Sequence, residues 1–281
     1  MTLHSSASVD SDSLARPRNL SKHRQLSLIQ SIWQDSLTIW WGDWLELRVR
    51  IYQVLSSGLV SPLIYILAFG FGLGSAMKGN NAFGGDYLSF ILPGMVALSS
   101  MTIGFAGTTF SICGDRLYSK TFEEMLMVPI HPLAMHLGKM LAGVTRGLLT
   151  SVSIIAVAMI YTKNWHFLHP EFLLILILNC MVFAGLGVLV GLTVRSLESV
   201  GLYNNFLIVP MSFLGGTFFD PAQLPQPLQA IVYTLPLTHA SVGMRSVING
   251  GHAIWYGWVI LLASAILLTL AGAYKFSHQQ D

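Results

Sequence analysis

Six apolar stretches recur along the chain, at 56–77, 88–112, 140–161, 172–194, 200–219 and 254–274, and their centres hold almost no charge. A bilayer core of about 30 Å needs on the order of 20 helical residues at about 1.5 Å rise each, and every stretch reaches that length. The pattern predicts an all-α membrane protein with six transmembrane helices. Its activity takes place in or across a bilayer.

The segments between and around these stretches differ in kind. The first 25 or so residues are rich in Ser, Arg and His and contain no apolar run. They read as a disordered cytoplasmic tail and not as a signal peptide, whose apolar region lies near its start. From Ile32 to Gln53 the character changes: Trp33, Trp40, Trp41 and Trp44 fall among Leu37, Leu45, Leu47 and Ile51, interrupted by Asp35, Asp43, Glu46, Arg48 and Arg50. This predicts a helix in the membrane interface, with indole rings at headgroup depth and charges toward water. A helix packed on the rest of the protein is a compatible alternative. The chain thus divides into a tail at 1–30 and one membrane domain at 31–281.

The interval 219–253 is longer than a simple connection and carries Leu224, Leu228, Ile231, Val232, Tyr233 and Leu235 among prolines 221, 225, 227 and 236. It is too apolar for a solvated loop and too broken to span. A segment that re-enters the membrane as two short helices broken near Pro236 satisfies both constraints. A partly ordered surface loop is the alternative.

Composition agrees with a membrane protein: 53% of residues are hydrophobic and 10% charged, where soluble domains carry about 25% charged. The net charge of +2 carries no implication of nucleic acid binding; the placement of the charges is informative. Of the 15 Lys and Arg residues, Arg16, Arg18, Lys22, Arg24, Arg48 and Arg50 precede the first stretch. Arg116, Lys120 and Lys139 lie between the second and third, Arg195 between the fourth and fifth, and Lys275 after the sixth. The opposite side holds Lys78, Lys163 and Arg245, and Arg146 lies inside the third stretch. The positive-inside rule places both termini in the cytoplasm.

Neither cysteine suggests a disulfide framework, and the scattered histidines form no metal-ligand spacing: His131 and His136 miss the i, i+4 register of a helical pair. No metal is expected. Asp86, Glu171 and Glu198 fall at stretch ends, so no mid-membrane carboxylate offers ion coupling. Gly138-Lys139 lacks the surrounding residues of a phosphate-binding loop. The chain is therefore a passive conduit or one part of a machine powered by another chain.

The loop between the second and third stretches bears on that choice. In Gly114-Asp115-Arg116-Leu117-Tyr118-Ser119-Lys120-Thr121-Phe122-Glu123-Glu124-Met125-Leu126-Met127-Val128-Pro129, Thr121 is placed to cap a short helix, Glu124 to complete a capping box, and Pro129 to stop the helix. Phe122, Met125 and Leu126 share one side, as a knob for a partner's groove or as a cap on the bundle. Arg146, about one and a half turns inside the third stretch, either snorkels to the interface or faces inward toward a head group or substrate. Gly70 with Gly74, and Gly187 with Gly191, form GxxxG pairs that permit close helix approach, within one subunit by default or at a dimer seam.

The run Thr121-Phe122-Glu123-Glu124-Met125-Leu126-Met127-Val128-Pro129 resembles the T-L-E-x-L-L-x-T-P stretch of type-2 ATP-binding-cassette permeases, with Phe122 for the usual Leu and Val128 for the usual Thr. That family includes drug, nodulation-factor and polysaccharide exporters. Gly215-Gly216-Thr217-Phe218-Phe219-Asp220-Pro221, followed by Leu224-Pro225, Leu228, Ile231, Pro236-Leu237-Thr238-His239 and Arg245, is similar to the family's segment before the last span. Leu92-Pro93-Gly94 and Gly143-Val144-Thr145-Arg146-Gly147 are similar to family blocks too, and all four blocks fall in order from about residue 30 onward.

The resemblance implies a permease subunit of an exporter in a bacterial inner membrane. It would pair with a second permease subunit as a homodimer and with two copies of an ATPase subunit, which carry the ATP and Mg; this chain holds no cofactor. Arg116, Thr121, Phe122, Glu123, Met125, Leu126 and Pro129 would couple to the ATPase. Gly215, Gly216, Leu228, Ile231, Pro236, His239 and Arg245 would build an external gate. An amphiphilic or lipid-linked substrate would move outward. The competing readings are a passive channel without an ATPase partner and, third, a membrane-embedded enzyme, for which no nucleophile–base or metal constellation is visible.

Overall fold

The computed structural model describes residues 28–65, 67–68 and 87–278, and every regular element among them is helical. The predicted tail, the far part of the first apolar stretch and the Gly70/Gly74 pair lie outside the described residues.

Helix α1, Leu28–Val49, is followed directly by α2, Ile51–Tyr65, after a turn at Arg50. Then come α3, Tyr87–Gly114, a π-helical turn at Asp115–Ser119, and the short α4, Thr121–Met127. Helix α5 runs Pro132–Thr162 and α6 Pro170–Thr193, joined by a single 3-10 turn at Trp165–Leu168. A helical passage follows as α7, Leu197–Tyr203, a π-helical turn at Asn204–Ile208, and α8, Val209–Leu214. The chain closes with α9, Gln226–Val232, α10, Pro236–Ile248, and α11, Trp255–Ser277.

Four helical segments are long and apolar enough to cross a membrane: Ser89–Ser119, Pro132–Thr162, Pro170–Thr193 and Trp255–Ser277. The two 31-residue segments would each extend about 46 Å at 1.5 Å per residue, more than a bilayer core. Their ends follow from local chemistry. Pro132 and Pro170 occupy first-turn positions, where a missing N–H is harmless. At the start of α5 the His131 side chain accepts from the Leu133 N–H at 3.2 Å. At its end Lys163 turns left-handed, φ 52°, and its own N–H returns to the Met159 carbonyl at 2.9 Å.

The fifth apolar stretch is the least regular. The helical path from Leu197 to Leu214 widens at Asn204–Ile208, immediately before the turn that contains Pro210. Proline removes one ladder donor and its ring crowds the preceding turn, so a local widening is the expected response. Paired Asn204 and Asn205 also make this passage more polar than its neighbours.

The centre of the bundle is α3 against α6. The apolar window of α3 is 72% buried, that of α11 only 22%. Gly187 and Gly191 face α3: a Cβ on Gly187 would stand 2.7 Å from the Phe105 carbonyl oxygen, and one on Gly191 3.0 Å from Ile112 Cβ. The GxxxG pair therefore joins two helices within one subunit. Thr109 Oγ1 donates across the contact to the Gly187 carbonyl at 3.1 Å. Phe105, Met101, Phe183 and Ile112 fill the layer between.

Large apolar side chains also point outward in number, among them Phe206, Leu267, Val152, Val259 and Leu270. In water such a girdle would drive association; facing hydrocarbon or another subunit it is at rest.

Helix α1 packs along α5 instead of lying free. Ser36, Ile39, Asp43 and Leu47 recur at helical spacing on the packed side. Trp40 Nε1 donates to Thr145 Oγ1 at 2.8 Å, while Trp33 and Trp41 remain exposed. Asp43, expected toward water, is buried. The packed stripe bears out the reading of a helix packed on the rest of the protein, and the exposed indoles lie on its other side.

Candidate functional site

Two polar clusters stand at opposite ends of the bundle. At one end Lys139, the eighth residue of α5, reaches two carboxylates: Nζ lies 3.0 Å from Asp43 Oδ1 and 2.7 Å from Asp115 Oδ2. The side chains of Lys139 and Asp43 are 7% exposed and that of Asp115 21%. The cluster ties α1 and α5 to the π-helical turn that leads into α4. Burial pushes the Asp43 carboxyl up, against the pull of Lys139. Its Oδ2 has no hydrogen-bond partner among the described residues.

Arg116, in the same turn, donates through one terminal nitrogen to the carbonyls of Gly191 at 2.9 Å and Val194 at 3.2 Å. These carbonyls belong to the last turn of α6, where a cation meets orphan acceptors and the negative end of the helix dipole. The Arg116 guanidinium also stands 5.7 Å from the centre of the Phe122 ring.

Helix α4 departs from its expected form at its cap, and its packing chooses between the two readings of its apolar side. Thr121 is not the cap: it is the first helical residue, after a left-handed Lys120 with φ 56°, and no side chain caps the helix. The Thr121 hydroxyl instead turns back to Ser119 Oγ at 2.8 Å and Asp115 Oδ1 at 3.4 Å. The π-helical turn brings those acceptors closer than the N–H groups of α4. Phe122 is buried against Phe276 of α11, ring centres 5.9 Å apart, and Leu126 one turn on packs against the core. The apolar side of α4 thus clips the helix to its own bundle. Glu123, Glu124, Met127 and Pro129 face outward, with Met125 at the margin. Burial of a Phe ring, about 2–3 kcal/mol, decides which side turns in.

Beside this cluster, a cleft of about 810 Å³ opens between α1, α2, α3 and α5. Leu47, Val54, Ile103 and Phe110 line it with apolar surface, and Glu46, Arg50 and Arg146 supply charge. Arg146, partly buried, donates to the Gly107 carbonyl of α3.

The opposite end is organised by Arg245 of α10, which is 8% exposed. Its Nε donates to the Phe90 carbonyl at 3.1 Å, one terminal nitrogen to that of Gly216 at 2.8 Å, and the guanidinium lies 3.7 Å from the Phe90 ring centre. Ser241 Oγ donates to the Gly215 carbonyl at 2.6 Å, and Tyr87 Oη to that of Phe218 at 3.1 Å. Gly216 has φ +69°, a left-handed conformation that a side chain would strain. Segment 215–218 is therefore a tight, stitched joint between α8 and α9. A nitrogen of His239, Nε2, lies 2.8 Å from the Tyr233 carbonyl, and the ring meets Tyr256 edge-on at 5.9 Å. Pro236 opens α10 after the break at 233–235. Leu228 and Ile231 are 46% and 55% exposed, and Val232 is the buried anchor of α9. With seven residues in α9, one face holds the protein and the other remains outside.

Residues missed from sequence are Asp43, Asp115 and Lys139 at one end and Tyr87, Phe90 and Ser241 at the other. Each is ordinary alone; only their meeting is informative. For Lys139, its place among the apolar residues of α5 was the available signal.

A helical bundle with four segments of membrane-crossing length, a clipped surface helix at one end and a stitched helical cap at the other defines a polytopic membrane protein. Residues 34–249 match the family model described as ABC-2 type transporter. The chain belongs to the ABC-2 type transporter family, as a membrane permease. It is 26% identical over 210 residues to the inner membrane transport permease YadH of Escherichia coli (strain K12), covering 73% of this chain and 79% of the relative. Nodulation protein J of Rhizobium meliloti (strain 1021) is 28% identical over 223 residues, 79% of this chain and 84% of that one. Nodulation protein J of Neorhizobium galegae is 31% identical over 206 residues, covering 73% and 77%.

Proposed function

We propose that the chain is the six-span permease subunit of an exporter that moves an amphiphilic or lipid-linked substrate outward. ATP hydrolysis on two copies of a separate ATPase subunit, which hold the ATP and Mg, drives it. The permease works as a homodimer in the inner membrane with both termini cytoplasmic. On this reading the Lys139 end is cytoplasmic, consistent with the basic residues gathered there, and α9–α10 close the external end.

The observation that carries the proposal is the build of α4. A seven-residue helix stands at the end of a bundle-long helix, clipped inward by Phe122 and presenting Glu123, Glu124 and Met127 outward. Its lead-in turn is bonded to α5 and α6 through Asp115 and Arg116. Force applied to the outward face would therefore pass to long helices and not dissipate in a loop. Arg116, Phe122 and Leu126 act as the inner anchors of this lever; Thr121, Glu123, Met125 and Pro129 belong to the contact side.

The test is co-purification with an ATPase encoded beside this chain, for the native protein and Glu123→Arg. Charge reversal at a desolvated contact costs roughly 2–5 kcal/mol, so substrate-stimulated ATP hydrolysis should fall more than about tenfold while membrane insertion is unchanged. Full transport and full co-purification of the variant would remove α4 from the coupling role.

A further inference from the structure

The cleft between α1, α2, α3 and α5 meets the coupling elements only between Asp115 and Thr121, and its apolar wall, Glu46, Arg50 and Arg146 have no part in the coupling reading. Its apolar wall is formed by Leu47, Val54, Ile103 and Phe110, and the charged groups at its margin are Glu46, Arg50, Arg146 and Asp115, the last already paired with Lys139. Apolar wall and charged margin together suit an amphiphile.

Depth along the bundle supports this. Arg146 follows Met140, the first residue of the third apolar stretch, by a helical rise of about 9 Å. Gly107, which accepts from Arg146, precedes the end of α3 by about 10 Å. A long side chain on a helix leans toward the N-terminal turn, which in α5 is the Lys139 end. The guanidinium is thus held a few ångströms below the membrane boundary, in reach of a headgroup phosphate. Among the described residues its one hydrogen bond is to the Gly107 carbonyl; its other donors are available.

Charge balance narrows the ligand. The cations around the cleft are Arg50, Lys139 and Arg146; the carboxylates are Glu46, Asp43 and Asp115. Lys139 is committed to Asp43 and Asp115. Arg146 feels the Asp43 carboxylate electrostatically but forms no ion pair with it among the described residues. At the rim, Arg50 and Glu46 stand 4.0 Å apart with both side chains more than half exposed. Such a pair contributes about 0–1 kcal/mol and exchanges readily for other partners. A net-neutral site with a cation inside and a loose pair of both signs at the rim matches a headgroup that carries both signs.

We propose that this cleft seats a zwitterionic aminophospholipid of the leaflet on the Lys139 side. Its phosphate lies on Arg146 and Arg50, its ammonium on Glu46, and its acyl chains along the apolar wall. The inference requires only that the chain is embedded in a bilayer, and it stands apart from the coupling and direction of transport.

Purified full-length protein, without any ATPase, is equilibrated with an equimolar mixture of phosphatidylethanolamine, phosphatidylglycerol and diacylglycerol of identical chains, and retained lipid is counted by native mass spectrometry. Phosphatidylethanolamine is expected to be retained over diacylglycerol by about tenfold or more, the size of one charged hydrogen bond, and over phosphatidylglycerol by a smaller factor. Arg146→Gln should lower phosphatidylethanolamine to the level of diacylglycerol. Glu46→Gln, at the exposed rim, should fold normally and bring phosphatidylglycerol level with phosphatidylethanolamine, which decides the matter even if the Arg146 variant does not fold. Equal retention of phosphatidylethanolamine and diacylglycerol by the native protein overturns the proposal. So does preference for phosphatidylglycerol, or a Glu46→Gln variant with unchanged selectivity. None of these results touches the permease reading, which is tested by the ATPase experiment.

Discussion

Replacing Lys139 by Met removes the charge at the centre of the three-residue cluster and keeps similar side-chain bulk. Asp43 and Asp115 both lie within 3.0 Å of Nζ, which leaves their oxygens no more than about 6 Å apart once the ammonium is gone. Two carboxylates at that separation repel by about 3 kcal/mol at an effective dielectric near 20. Breaking a buried pair by removing one partner typically costs about 3–5 kcal/mol. The partial exposure of Asp115 admits water and favours the lower figure. A loss of about 3 kcal/mol lowers the unfolding midpoint by roughly 6–12 °C for a domain of this size. Thermal unfolding in detergent, followed by tryptophan fluorescence, reads it directly, since Trp40 and Trp44 sit on the affected helix. Adding Asp43→Asn to Lys139→Met removes one repelling partner and should recover about 1–3 kcal/mol, a coupling that independent sites do not show. An unchanged midpoint for Lys139→Met, or strictly additive effects in the double variant, would refute the view that this cluster clamps α1, α5 and the lead-in to α4.

At the α3–α6 contact, Gly187→Ala drives a methyl toward the Phe105 carbonyl, and the helices must separate; a loss of about 1–3 kcal/mol is expected, read as a lower midpoint and faster proteolysis in detergent. Arg245→Met strands the Phe90 and Gly216 carbonyls, at about 1–3 kcal/mol each. Hydrogen exchange should rise at 215–218, with Arg245→Lys in between because an ammonium cannot reproduce the planar fork; uniform protection in all three proteins would show that Arg245 does not hold the joint.

How much was legible in the sequence depended on how far apart the interacting residues lie. The helices α3, α5, α6 and α11 could be placed from single apolar runs, because the hydrocarbon core imposes its demand residue by residue along one segment. The breaks at Pro129 and at 233–235, before Pro236, were equally local, set by proline's missing donor and fixed φ; the widening before Pro210 was not read from the sequence. Thr121 was misread although its capping signature was present, because a π-helical turn upstream offered its hydroxyl nearer partners. Phe122 could not be assigned to a partner's groove or to its own bundle, because an amphipathic helix declares that one side is buried but not against what; Phe276, more than a hundred residues on, supplies the surface. Leu228 and Ile231 show the converse: apolar character calls for a dry neighbour, which lipid or a second subunit can be as well as the same chain.

The sequence by itself determined the solvent, the four membrane-length helices and the family, since bilayer insertion and short motifs are properties of contiguous residues. Only the tertiary structure decided where the charges went. Asp43, Asp115 and Lys139 are unremarkable in their own segments, and their carboxylates and ammonium become tolerable inside a membrane protein only by meeting. Such a meeting depends on the crossing of α1 over α5, where a Cβ on Gly138 would fall 2.7 Å from Ile39 Cβ and the absence of a side chain lets the helices close. Arg245 likewise became the keystone of the opposite end because two distant backbone segments, at Phe90 and at Gly216, turn their carbonyls toward one place. Burial makes each of these polar groups expensive alone and stable together, and that dependence on distant partners is what a linear pattern does not contain.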